Sequence, residues 1–133
     1  MKKLIILLIP LIWFIACAVP QRKVNNTTDQ NSAEYKLEEA RLTLSKGNFK
    51  LAEDMYLAVF NDSSFASEFR QEALFNLGMM YTDDAVSIEE YEIALDYFRL
   101  LSSEFPKNQF KEKTNREIRY IRNQIKRLKQ NEN

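Results

Sequence analysis

Residues 73–106 read ALFNLGMMYTDDAVSIEEYEIALDYFRLLSSEFP, a stretch that encodes two helices and the turn between them. Ala73, Leu77 and Tyr81 recur at steps of four and continue a series begun by Phe65 and Phe69, the spacing of one helical face. The series predicts a helix over residues 65–81. Ser87 and Glu90 stand at capping-box spacing, where each side chain satisfies a free backbone N–H of the other, so a second helix opens at residue 88. Its apolar face is Tyr91, Ala94, Leu95, Phe98 and Leu101. Phe105-Pro106 closes it, because the residue before a proline is pushed out of helical geometry.

The same reading extends both ways. Asn31 with Glu34 has capping-box spacing and predicts a helix over residues 33–46, with a broad face of Tyr35, Leu37, Ala40, Leu42 and Leu44. Gly47 supplies the permissive backbone that ends it. Phe49, Ala52, Tyr56 and Val59 carry the next helix to residue 60, and Asn61-Asp62-Ser63-Ser64 is a loop. Beyond Pro106, Ile118, Ile121, Ile125 and Leu128 predict a helix over residues 110–129. That seam suits docking onto the preceding helix or a coiled-coil pairing, and under three heptads docking is the safer reading. No segment alternates like a strand, and the 133 residues hold only two Gly and three Pro. The fold class is all-α.

Composition narrows function by exclusion. With no His and one Cys, the chain lacks the usual zinc and transition-metal ligand sets and the imidazole of common acid–base and triad chemistry. Asp83, Asp84, Glu89, Glu90 and Glu92 gather near one loop, but paired catalytic carboxylates need a shared desolvated cleft. Acidic residues at a helix N-terminus answer to the macrodipole without any chemistry, and the segment lacks the alternating carboxylates and central Gly of a calcium loop. No cofactor and no enzymatic role is expected.

The first segment reads as an address. Lys2 and Lys3 precede an apolar run over residues 4–16, thirteen residues broken by Pro10. That is the layout of a secretory signal, and too short for a helical span of about 20 residues. Phe14-Ile15-Ala16-Cys17 resembles the lipobox of bacterial lipoproteins. The resemblance implies cleavage of residues 1–16 and acylation of Cys17; the alternative is an uncleaved anchor. Either way the chain is expected to be membrane-tethered. Ala18 after the cysteine, by the same resemblance, favours the outer membrane facing the periplasm. Residues 17–32 are polar and poor in apolar side chains, so they are expected to be a flexible linker.

Charge is unevenly distributed. The chain has 19 basic and 19 acidic residues, yet residues 33–106 hold 6 basic and 15 acidic, and residues 107–133 hold 9 basic and 3 acidic. Arg116, Arg119, Arg122, Lys126 and Arg127 form a basic face. It suits partial complementation of the acidic body, or anionic lipid, lipopolysaccharide or an acidic protein surface; nucleic acid is not expected for an exported chain.

The pair in residues 73–106 resembles a tetratricopeptide repeat through Leu74, Leu77, Gly78, Tyr81, Tyr91, Ala94, Phe98 and Pro106. Gly47, Asn48, Phe49, Ala52 and Tyr56 match the second half of an earlier, divergent repeat. The resemblance implies antiparallel helical hairpins, about two repeats over residues 33–106, and a terminal helix over 107–133. It also implies a scaffold that binds envelope proteins or peptides in a groove presenting Glu72, Phe75, Met79 and Asp83. Phe75 and Met79 lie off the main core stripe and read equally as groove anchors or as contacts to the preceding repeat. Outer-membrane protein assembly and secretion are the roles that similar lipoproteins suggest. Short arrays are near the minimum for standing alone, so self-association through the last helix is the alternative role.

Overall fold

The structure is a computed structural model that describes residues 32–131. The expected leader, Cys17 and all of the linker except Ser32 lie outside the described residues. Five helices follow in order: α1 (Ala33–Ser45), α2 (Phe49–Asn61), α3 (Ser67–Asp83), α4 (Ile88–Glu104) and α5 (Lys111–Asn131). No strand occurs among the described residues. The all-α expectation holds. Each helix packs on its neighbour in the chain, and α1 also touches α3, so the hairpins lie side by side.

Local chemistry explains most boundaries. Ser32 caps α1, its hydroxyl accepting from the Tyr35 N–H at 3.2 Å. Asn31 is not among the described residues. Gly47 sits at φ +78, a left-handed conformation open to glycine. Around it the Asn48 and Gly47 N–H groups donate to Thr43 O at 3.2 Å and Leu44 O at 2.8 Å, the paired bonds of a Schellman ending. The Ser87–Glu90 capping box is fully formed. The start of α3 falls two residues later than periodicity predicts. Asp62 accepts from the Ser64 N–H at 3.0 Å and hydroxyl at 2.6 Å, which folds residues 62–65 into a turn and holds Phe65 outside the helix.

One core runs through α1 to α4 around Leu37, Ala40, Ala52, Tyr56, Val59, Leu74 and Leu77. A second joins α4 and α5 through Tyr91, Ala94, Leu95, Phe98 and Ile121. Burying each such large side chain contributes about 1.5–3 kcal/mol. Two expected core residues are not buried: Leu42 is 51% exposed and Phe49 44%. Leu42 falls off the stripe that α2 and α3 cover, and Phe49 begins α2 at the rim of a cleft. The seam of α5 packs on α4, with Ile121 fully buried and Ile118, Ile125 and Leu128 against the same cluster. Thr114, 1% exposed, buries its hydroxyl without a partner at the start of α5.

The connection between α4 and α5 is tied down by polar groups. The Asn108 side chain donates to Phe105 O at 2.8 Å and accepts from the Phe110 N–H at 3.0 Å. Gln71 on α3 accepts from the Gln109 N–H at 3.1 Å. Phe110 is thereby set against Phe75, their rings stacked at 4.5 Å and 10°.

Candidate partner-binding surface

The repeat residues on the hairpins differ in burial. Ala52, Leu77, Ala94 and Phe98 are fully buried, and Gly78 faces the Phe98 ring closely enough that a Cβ would overlap it. Tyr81 is only half-buried. Its hydroxyl instead takes part in a contact that no local sequence signal announces. Tyr81 and Tyr97 both donate to Glu53 Oε1, at 2.9 and 2.8 Å, with their rings stacked 5.8 Å apart. Lys50 Nζ lies 3.1 Å from Glu53 Oε2. One carboxylate so clasps α2, α3 and α4.

Burial pushes the Glu53 carboxyl upward, but the bonds from Tyr97, Tyr81 and Lys50 outweigh it and hold the group below its ordinary 4.5. Burial, then the bond to Glu53, pushes the Tyr97 and Tyr81 phenols above their ordinary 10.0. A carboxylate held low stabilises the fold above its unfolded pKa, and that contribution is lost as pH falls through the folded value. Phenols held high contribute below their unfolded pKa and lose the contribution as pH climbs through the folded value. Stability is therefore expected to be level through neutral pH, falling below about 4.5 and above about 10. Glu53→Gln should lower neutral-pH stability by about 1–3 kcal/mol and flatten the acid limb, checked by urea melts across pH.

Arg70 forms a second unpredicted link. Its Nε donates to Phe60 O at 2.8 Å at the end of α2, while its guanidinium lies over Phe60 and Phe105 at 5.7 and 5.5 Å. A cation at a helix C-terminus suits the macrodipole.

Three of the four expected groove residues divide between two clefts on α3. Glu72 lines a cleft of about 360 Å³ between α1 and α3, with Tyr35, Leu37, Phe69, Glu34, Glu38 and Arg41. There Arg41 bridges Glu72 at 3.1 Å and Glu38 at 2.6 Å. Met79, Thr82 and Asp83 of α3 line a separate cleft of about 460 Å³ with Arg116, Glu117 and Tyr120 of α5. Burial, then the neighbouring Asp84, pushes the Asp83 carboxyl upward. Phe75 lines neither cleft. Its ring is engaged by Phe110 and, at 5.9 Å, by Phe98, which makes it a packing residue.

Of the gathered carboxylates, Glu90 is spent on the capping box, where its Oε2 accepts from the Val86 and Ser87 N–H groups. No metal-holding cluster of His, Cys, Asp or Glu occurs among the described residues. None of the described helices is long and apolar enough to cross a membrane. The five basic residues Arg116, Arg119, Arg122, Lys126 and Arg127 are all exposed. None forms a salt bridge with the acidic body.

No family model, curated protein or solved structure matches the chain. The surface is therefore read from its own chemistry. The α1–α3 cleft has an aromatic and aliphatic floor and a rim of three carboxylates against one arginine that is already paired. Such a cleft suits a segment with one or two apolar anchors and a cationic side chain.

Proposed function

We infer that this chain is a non-catalytic adaptor of the bacterial cell envelope, tethered through a lipid on Cys17 and holding a partner segment in the α1–α3 cleft. The observation that carries the binding role is that cleft: an apolar floor with an acidic rim, between helices that stack side by side. The side-by-side hairpins, and Gly78 set against Phe98, agree with the tetratricopeptide resemblance. Phe14-Ile15-Ala16-Cys17 supports the tether. The partner is an envelope protein or peptide presenting a cationic, partly apolar helix or extended strand. The burial of Ile121 against α4 supports docking of the last helix, and self-association through that helix is the alternative reading.

Site-specific photo-crosslinking in native membranes tests both halves. A crosslinker at Glu38 is expected to give a discrete product that Glu72→Lys removes. One at the exposed Asp96 on α4 should give none. Labelled fatty acid should mark the wild type and not Cys17→Ser, which should also remain unprocessed. Equal crosslinking from both positions rejects the cleft; lipid on the Cys17→Ser chain rejects the anchor.

A further inference from the structure

The outward side of α5 is largely exposed, although Arg116 and Tyr120 edge the α3 cleft and Arg127 acts electrostatically on Tyr91 of α4. This helix carries eight basic residues and two acidic ones, Glu112 in the first turn and Glu117 at the flank, beside the α3 cleft. Its docking is apolar, through the isoleucine seam, so the arginines are not needed to hold it. Helical spacing puts Arg116, Arg119 and Arg127 on the side away from that seam, and all three are exposed. Among the described residues none of the three is in a salt bridge, even though residues 33–106 carry a net of −9. The helix is about 30 Å long, and only Arg116 of the three also borders a cleft, the one it shares with α3. A surface of that shape matches an extended, flat array of negative charge better than a peptide.

We propose that the basic face of α5 docks on the anionic headgroups of the bilayer that holds the chain. The proposal rests on the tether reading only for proximity. Fourteen residues separate Cys17 from Ser32, and a linker of that length would reach about 20 Å, keeping α5 at high effective concentration near the headgroups. Each basic side chain near an anionic surface strengthens binding about fivefold. Docking leaves the α1–α3 cleft, built on other helices, open to a partner.

The test uses the full chain carrying Cys17→Ser, so that it does not depend on acylation. Asn123→Cys, at an exposed position of α5, carries a fluorophore. The chain is reconstituted in vesicles containing headgroup-spin-labelled lipid. Strong quenching is expected in phosphatidylglycerol-rich vesicles and not in phosphatidylcholine. It should fade at about 1 M salt, where the screening length is about 3 Å. Arg116→Glu/Arg119→Glu/Arg127→Glu should weaken docking more than about a hundredfold. Quenching that ignores lipid charge and salt, or no quenching in either vesicle, overturns the proposal. So does salt-sensitive self-quenching between labelled chains in neutral vesicles, which would make the occupant a second copy. Failure of the tether is read separately, from fatty-acid labelling of the unmutated chain.

Discussion

Gly78→Ala is expected to destabilise the domain by about 1–3 kcal/mol, although alanine is the better helix former by about 1 kcal/mol. A Cβ at this position would meet Phe98 Cε1, Cζ and Cδ1 at 2.5, 2.6 and 2.8 Å. The ring cannot swing aside at low cost. Phe98 is fully buried, Phe75 lies 5.9 Å away on the same side of the packing, and Phe75 is itself pinned by Phe110. The added methyl must therefore push α3 and α4 apart, loosening the contact between the two cores. Gly78→Leu should do more damage still. Thermal melts should fall by about 4–8 °C per kcal/mol for a domain of this size. A double-mutant cycle gives the sharper measurement. Phe98→Leu costs packing alone, but in the Gly78→Ala background it also removes the overlap. The two losses should then fall short of additivity by about 1 kcal/mol or more. A neutral or stabilising Gly78→Ala would show that the helices approach less closely.

How much of this was legible depends on whether the cause is local. Ser87 and Glu90 lie within one turn, so the start of α4 is readable, as is the end of α1 at Gly47. The start of α3 falls later than the apolar period indicates because an aspartate turn holds Phe65 outside the helix, and Ala66 at the boundary makes no side-chain cap. Apolar period finds a stripe but not its width. Leu42 and Phe49 fit the spacing, and no neighbour covers them. The clasp on Glu53 was out of reach. Its tyrosines stand 28 and 44 positions away, and nothing near Glu53 marks it as different from any surface acid. The expected groove misled for a related reason. Glu72, Phe75, Met79 and Asp83 do follow helical spacing along α3, but the connection ordered by Asn108 and Gln71 brings Phe110 down on Phe75. That divides the stripe between two clefts.

Ile121→Asp is expected to be the most damaging of the single substitutions considered. Ile121 is fully buried among Tyr91, Ala94, Leu95 and Phe98. A carboxylate there meets no cation within the cluster, which is built of Tyr91, Ala94, Leu95, Phe98 and the isoleucine seam. Leaving a buried charge uncompensated costs about 3–5 kcal/mol, and the protein can avoid that only by releasing α5 from α4. Release exposes the Phe98 side of the second core, so the loss reaches the Gly78 crossing as well. Melting should fall by roughly 15–30 °C. In hydrogen exchange α5 should lose protection first, while α1 and α2, which share no buried residue with that cluster, keep most of theirs. Ile118→Asp, at a half-buried position on the same seam, should cost less. A dimer built on the seam predicts another pattern: an unchanged monomer fold and lost association. The two outcomes separate by calorimetry and light scattering on one sample. Docking of α5 on α4 also determines which face the arginines present, so Ile121→Asp should abolish lipid-dependent quenching at position 123 without altering a single charge on that face.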